Sequence, residues 1–243
     1  MPDQPGPIAL VGSGEYLLSM LEVERGLIEG RPARYVQIAT AAAPEGDASL
    51  ERWHRLGAEQ AKRLGVEQVI VDVRSRQDAD DPRWASAIEG AGLIYLSGGN
   101  PSYLADTLRD TLVWSAIESN WRAGAALAGC SAGAMVMSSR IPSLRHPVNG
   151  DTTGLALLPH MRVIPHFDRM AGWMPEGMSR LLLHGDDEVT LVGVDEETAL
   201  VGGPDLWQVV GHRQAWVLER AGRTGFAAGE TVVTGPLRDP HGA

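Results

Sequence analysis

The stretch Ala125-Ala126-Leu127-Ala128-Gly129-Cys130-Ser131-Ala132-Gly133-Ala134 decides how the centre of this chain folds. It begins as an apolar strand, passes through a Gly-x-Ser-x-Gly motif and continues into helix-favouring residues. A serine on so sharp a strand-to-helix turn has a strained backbone and requires small neighbours. Its hydroxyl stands clear of the sheet, and the next N–H points into the same space. The motif therefore predicts a nucleophilic Ser131 with Ala132 as an oxyanion donor; the alternative is a helix N-cap serine.

The chain before this turn alternates between short apolar strands and helical patterns. Strands are predicted at Ile8–Val11, Tyr35–Ile38, Gln68–Val73 and Leu93–Leu96. Helices are predicted after the first strand, with Leu17, Leu18, Leu21 and Val23 on its apolar positions, and at 51–64, 82–90 and 110–121, the last capped by Asp110. Such alternation predicts a mostly parallel sheet covered by helices on both faces, a three-layer α/β/α fold.

The pattern changes after Ser138. Strands are predicted at Arg162–Pro165, Val189–Val194 and Thr198–Val201, with a helix at 178–183 between them. Alternating residues from Trp207 to Thr234 indicate antiparallel strands, which we expect at one edge of the sheet. No linker or internal repeat interrupts residues 1–243, so we predict a single domain.

Composition narrows the classes of function. The 243 residues carry a net charge of −10, which argues against nucleic acid as a partner because phosphate contacts need clustered cations. We see neither a secretion signal nor an apolar run long enough to span a bilayer. The single cysteine fits a reducing compartment. We expect a cytoplasmic protein with no membrane partner, no cofactor and no metal. The sequence is compatible with a homodimer.

Two further turns supply candidates for catalysis. In open parallel sheets, ligands bind beyond the carboxyl ends of the strands. Gly98 and Gly99 follow a predicted strand there, and their N–H groups suit the second half of an oxyanion hole. A serine nucleophile also needs a base, usually histidine. Of the seven histidines, His166 alone follows an apolar strand and precedes a polar turn, so we predict it as the base.

The acid that would orient this histidine is less clear from the residues. Asp195, Glu196 and Glu197 form the one acidic turn directly after a strongly apolar strand, although such a run is usually a solvated turn. Asp151 lies in a predicted loop and could also reach the site. Asp168 is too near His166 in sequence to face its ring easily. The residues alone leave the choice among Asp195, Glu196, Glu197 and Asp151 open.

Four motifs in order resemble the serine peptidase family that contains dipeptidase E and cyanophycinase. They are Gly98-Gly99-Asn100, Gly129-Cys130-Ser131-Ala132-Gly133-Ala134, Ile164-Pro165-His166-Phe167 and Gly193-Val194-Asp195-Glu196-Glu197-Thr198-Ala199-Leu200. The resemblance covers most of the chain. It implies a class I glutamine amidotransferase-like (flavodoxin-like) fold, with antiparallel strands at one edge, and a serine peptidase acting on short peptides through an acyl-enzyme. It further implies Ser131 as nucleophile, His166 as base and Glu196 as acid, with Asp151 in reserve.

The chain also departs from the cyanophycinase pattern. Pro165 precedes His166 where those enzymes carry a glutamine. Those enzymes also bind their polymer with a series of arginines around the histidine, whereas only Arg169 and Arg180 lie near His166 in this sequence. The resemblance therefore favours the dipeptidase-like branch, with aspartyl dipeptides as a candidate substrate. A substrate aspartyl group would need a nearby cation, for which we name Arg169. We expect Asn100, in the glycine turn, to contact substrate as well.

Two other functions remain open at this point. Cys130 would be the nucleophile in a relative of the glutamine amidotransferases, although the flanking glycines centre on Ser131. The same scaffold could also serve a non-catalytic protein that binds a small molecule. Retention of the serine, histidine and acid argues against that last interpretation.

Overall fold

The structure, a computed structural model, describes residues 4–142, 152–170, 189–219 and 222–235. Its strands are β1 (Ile8–Val11), β2 (Arg34–Ile38), β3 (Glu67–Ile70), β4 (Leu93–Leu96), β5 (Ala126–Cys130), β6 (Arg140–Ile141), β7 (Thr152–Thr153), β8 (Met161–Ile164), β9 (Thr190–Val194), β10 (Thr198–Gly202), β11 (Leu206–Gly211), β12 (Gln214–Glu219), β13 (Gly222–Ala227) and β14 (Thr231–Val233). Its helices are α1 (Leu21–Ile28), α2 (Asp47–Leu64), α3 (Arg76–Ala79), α4 (Pro82–Ala87), α5 (Pro101–Leu108), α6 (Leu112–Arg122), α7 (Ala132–Met135) and α8 (Phe167–Met170). Short 3₁₀ turns occupy Leu18–Met20 and Thr40–Glu45.

Eight strands form the main sheet, in the order β14-β11-β10-β1-β5-β4-β2-β3. The pairings from β1 through β5, β4 and β2 to β3 are parallel. The pairings of β10 with β1, of β11 with β10 and of β14 with β11 are antiparallel. The prediction of a mostly parallel sheet with antiparallel strands at one edge is therefore confirmed.

The sheet is covered on both faces, as its strand sequences require. In β1, Ile8 and Leu10 join one hydrophobic core cluster, whereas Ala9 and Val11 join another. Successive side chains of a strand point to opposite faces, so these two clusters lie on the two sides of the sheet. Helices α5 and α6 pack into the first cluster, and α1 and α2 into the second. The described residues thus build three layers.

The C-terminal half contains a feature that the sequence pattern did not reveal. Four strands form a separate sheet in the order β13-β12-β9-β8, in which β8 and β9 are parallel neighbours. The predicted acidic turn lies between β9 of this small sheet and β10 of the main sheet. Within the described residues, this turn is one of three short connections between the two sheets; the others join β11 to β12 and β13 to β14.

Several local predictions need correction. Helix α6 is capped by the side chain of Thr111, because Asp110 has a φ of 58° and lies outside the helix. Strand β3 ends at Ile70 rather than at Val73. Leu17 and Leu18 are exposed, and Tyr16 and Met20 occupy the core in their place. The predicted helix at 178–183 lies outside the described residues.

No helix among the described residues combines the length and the apolarity needed to cross a bilayer.

Candidate active site

Ser131 lies at the tip of the turn between β5 and α7 with a φ of 50° and a ψ of −109°. This backbone conformation is rare for a residue with a side chain and marks stored strain. Small neighbours make it feasible: a Cβ on Gly129 would lie 2.3 Å from the Gly133 carbonyl oxygen, and one on Gly133 would lie 2.2 Å from that of Leu96. The two glycines of the motif are thus required by close backbone packing around the serine.

His166 lies directly beside this serine. Its Nε2 atom is 3.1 Å from Oγ of Ser131, and its Nδ1 atom is 3.0 Å from Oε1 of Glu196. His166 comes shortly after β8, and Glu196 follows β9, so the two parallel strands of the small sheet present both side chains at the same edge. The backbone N–H of His166 donates to the carbonyl of Gly12, at 3.3 Å, which joins this edge to the turn after β1.

Glu196 and Asp195 are adjacent in the acidic turn but contact different partners. The hydrogen bond from His166, together with one from Arg169, holds its pKa below the ordinary value. Asp195 is only 5% exposed and accepts bonds from the indole N–H of Trp216 and the backbone N–H of Gln214; burial raises its pKa. The Glu196 carboxylate therefore faces His166, whereas the Asp195 carboxylate binds residues of β12 in the small sheet.

The segment that carries His166 also holds Glu196 in place. Nε of Arg169 donates to Oε2 of Glu196 at 3.1 Å, and Oδ1 of Asp168 accepts the backbone N–H of Glu196 at 3.0 Å. Asp168 in turn forms an ion pair with Arg213. Asp168 and Arg213 were not predicted as parts of the site. The sequence gives no signal of these contacts, because the partners are distant in the chain.

The three N–H groups predicted to form the oxyanion hole, on Gly98, Gly99 and Ala132, differ in their hydrogen bonds. A Cβ on Gly98 would lie 3.5 Å from Cβ of Ser131, so the turn after β4 borders this serine. The Gly98 N–H, however, donates to Oε1 of Glu15 at 3.0 Å and is not available as an oxyanion donor. Within the described residues, the N–H groups of Gly99 and Ala132 have no hydrogen-bond acceptor. Those two remain candidate donors.

The other predicted site residues have definite positions. Asn100 caps helix α5, where its Oδ1 accepts the N–H of Tyr103 at 3.0 Å; its contact with substrate stays a prediction. Arg169 lies beside Glu196 with 71% of its side chain exposed. Asp151, the reserve acid, and Arg180 lie outside the described residues. The described residues contain no cluster of three or more His, Cys, Asp or Glu side chains suited to a metal.

Cys130 is poorly placed to act as a nucleophile. Its side chain is fully buried, and Sγ donates to Oε2 of Glu15 at 2.7 Å rather than to His166. Burial, reinforced by the charge of Glu15, raises the pKa of the thiol well above its ordinary value. Because the thiolate is the reactive form of cysteine, this environment disfavours an amidotransferase-like role.

Two solved structures share the fold of this chain. The chain is similar to a peptidase from an acI-B1 Actinobacterium, with a TM-score of 0.86, 43% identity, and coverage of 94% of this chain and 97% of that one. It also resembles in fold a peptidase E-like protein from Listeria monocytogenes EGD-e, with a TM-score of 0.53, 18% identity and coverage of 92% and 99%.

Sequence comparisons also find peptidases among the relatives of this chain. A cyanophycinase from Trichormus variabilis (strain ATCC 29413 / PCC 7937) is 28% identical over 226 residues, which cover 87% of this chain and 73% of that protein. A cyanophycinase from Geminocystis herdmanii (strain PCC 6308) is 26% identical over 203 residues, covering 79% and 70%. The model of peptidase family S51 matches residues 10–205. The chain therefore belongs to peptidase family S51 and is a serine-type peptidase.

Proposed function

We propose that this peptidase hydrolyses short peptides through Ser131, His166 and Glu196, with an acyl-enzyme intermediate. The observation that carries the proposal is the position of the His166 ring, whose two nitrogens lie within hydrogen-bond distance of Ser131 Oγ and of a Glu196 carboxylate oxygen. A nucleophile, a base within reach of it and an acid that orients the base are what acyl transfer by serine requires. The single cysteine fits a reducing compartment, so we place this activity in the cytoplasm.

Each atom of this arrangement has a defined role in the reaction. Ser131 Oγ attacks the scissile carbonyl while His166 Nε2 takes the hydroxyl proton. Glu196 stabilises the imidazolium that forms, and the N–H groups of Gly99 and Ala132 donate to the developing oxyanion. The C–N bond then breaks as His166 returns the proton to the leaving amine. Water attacks the resulting ester with the same base, which releases the acid and restores Ser131.

We further propose aspartyl dipeptides as the substrate class. An aspartyl residue on the acyl side of the scissile bond brings a carboxylate close to the nucleophile, where a guanidinium can bind it through paired hydrogen bonds. Arg169 uses Nε for Glu196, whereas its two terminal nitrogens have no hydrogen-bond acceptor among the described residues. Its exposed terminal nitrogens support a role in binding the substrate carboxylate. The cyanophycinase relatives suggest a polymer instead, but the chain lacks the arginine series that the resemblance would require for it.

The test is a hydrolysis screen of dipeptides and isopeptides with the wild-type protein and its Ser131→Ala variant. We expect wild-type cleavage of Asp-X dipeptides above Leu-X dipeptides, and little action on cyanophycin. Ser131→Ala should lower hydrolysis by several orders of magnitude, as in other serine triads, with the fold intact by circular dichroism. A fluorophosphonate should label the wild type at Ser131. Full activity of the variant would refute the mechanism, and equal rates on Asp-X and Leu-X would refute the substrate class.

A further inference from the structure

The turn after β1 contacts the turn after β4 through two adjacent residues. Strand β5, which ends at the nucleophile, lies between β1 and β4 in the main sheet. The turns after β1 and β4 therefore flank Ser131 on its two sides. Glu15 and Tyr16, on the first turn, reach Gly98 and Ser97 on the second. Glu15 has no part in the mechanism described above.

Glu15 places a carboxylate directly behind the nucleophile. Its Oε1 accepts the N–H of Gly98 at 3.0 Å, and its Oε2 accepts the S–H of Cys130 at 2.7 Å. A Cβ on Gly98 would lie 2.8 Å from Oε1, so a larger residue at this position would displace the Glu15 carboxylate. The raised pKa of Cys130 keeps its proton available for the bond. One carboxylate thus joins the oxyanion turn to the residue that precedes Ser131.

Tyr16 makes a second link between the same two turns. Its hydroxyl lies 2.6 Å from Oγ of Ser97 and accepts a hydrogen bond from Nε2 of Gln37 at 2.9 Å. Either hydroxyl can donate in the contact between Tyr16 and Ser97, and both directions join the two turns. Tyr16 is buried with a φ of 66°, a conformation that costs on the order of 1 kcal/mol for a side chain of this size. Such strain persists only where the surrounding contacts fix it.

The far side of the oxyanion turn is fixed as well. The N–H of Asn100 donates to the Ala41 carbonyl at 2.8 Å, and a Cβ on Gly99 would lie 2.4 Å from that same oxygen. The residues on both sides of Gly99 are therefore held, one by Glu15 and the other by Ala41. The Gly99 N–H therefore lies between two fixed attachments.

We propose that Glu15 is a positioning residue that aims the Gly99 N–H at the developing oxyanion through its bond to Gly98. The proposal rests on the proposed function, since it needs Ser131 as the attacking atom. It assigns Glu15 no contact with substrate. Loss of one oxyanion donor typically lowers kcat by roughly 10²- to 10³-fold, and a donor that is misaimed rather than lost should cost less.

The matched substitutions Glu15→Gln and Glu15→Asp separate positioning from charge. Glutamine keeps the length of the side chain and an oxygen for the Gly98 N–H, whereas aspartate keeps the charge but is one methylene too short. Positioning predicts that Glu15→Asp lowers kcat by roughly 10- to 100-fold with little change in KM. Glu15→Gln should stay within about fivefold of wild type, because its oxygen still accepts the Gly98 bond. Glu22→Gln, at an exposed position of α1, is the control and should match wild type.

These variants are assayed on the dipeptide that the wild type cleaves best, with thermal unfolding to confirm the fold. Affinity for a peptide boronic acid, which mimics the tetrahedral intermediate, should fall in Glu15→Asp by the same factor as kcat. Tyr16→Phe should lower kcat in the same sense but less, since the Glu15 link remains. The proposal fails if Glu15→Asp keeps wild-type kcat, or if Glu15→Gln is the worse variant and raises KM, which would make Glu15 a charged ligand of substrate. Retained activity in Ser131→Ala would instead refute the proposed function.

Discussion

The Nδ1 atom of His166 lies 3.0 Å from Oε1 of Glu196, and the two residues follow adjacent parallel strands, β8 and β9, of the small sheet. Ser131 follows β5 of the main sheet. The small sheet thus brings His166 and Glu196 together at one edge, beside Ser131 at the end of a strand of the main sheet. The turn that contains Glu196 continues into β10 of the main sheet, so it connects the two sheets beside the site.

This arrangement predicts unequal costs for removing the base and the acid. His166→Ala should lower kcat nearly as much as Ser131→Ala, because the two residues act as a unit. Glu196→Gln should cost less, since a carboxylate orients and stabilises the imidazolium without exchanging protons. Glu197→Gln is the matched control and should remain near wild type. Steady-state kinetics on one dipeptide measure all three, and a Glu196→Gln variant with unaltered kcat would remove Glu196 from the mechanism.

A second prediction concerns Cys130. Cys130→Ser keeps a donor for Glu15 and removes the thiol, so hydrolysis should stay within about tenfold of wild type. The native protein should also react slowly with iodoacetamide, because the thiol is buried and its pKa is raised. Mass spectrometry follows the alkylation while an assay follows activity. Loss of activity in Cys130→Ser as complete as in Ser131→Ala would favour a cysteine nucleophile.

Arg169 provides a third prediction, which concerns specificity. Arg169→Met should lower the ratio of kcat/KM for Asp-X over Leu-X roughly tenfold or more, the size expected for a lost charge-assisted bond. Activity on Leu-X should fall less, through the lost contact with Glu196. Arg25→Met, a surface arginine paired with Glu22, serves as control. An equal fall on both substrates would assign Arg169 to holding Glu196 and not to binding substrate.

A fourth prediction concerns the pH dependence of stability. Glu24, on α1, is 1% exposed, and burial raises its pKa from 4.5 to about 7. The native state therefore holds this proton more tightly than the unfolded chain does. The resulting stabilisation is fully present below pH 4.5 and is lost as the pH rises through about 7, an effect of ~3 kcal/mol at most.

Glu24→Gln mimics the protonated form at every pH. The variant should be more stable than wild type at pH 8 and close to it at pH 5, as measured by urea unfolding. Comparing the two proteins cancels the titration of groups that they share. Glu22→Gln, an exposed glutamate on the same helix, should show no such difference. A pH-independent difference between Glu24→Gln and wild type would show that Glu24 titrates normally in the folded protein.

Features that depend on consecutive residues were predictable from the sequence. The alternation of strands and helices follows from local hydrophobic periodicity, and the turn at Ser131 follows from glycines that flank it directly. The parallel main sheet with its antiparallel edge was therefore predicted. So were the positions of Ser131 and His166 at strand ends, because each residue comes at the end of an apolar run.

The features that remained open depend on contacts between distant segments. Asp195, Glu196 and Glu197 are chemically alike and adjacent, so nothing local distinguishes them. Glu196 is the one that lies beside the His166 ring in the folded protein. Nothing local singles out Glu15 either, because its partner Gly98 lies 83 residues away. The sequence by itself determined the strand ends and the strained serine, since both are encoded within a few residues. Only the tertiary structure decided which carboxylate meets which partner, because that choice depends on which strands are neighbours.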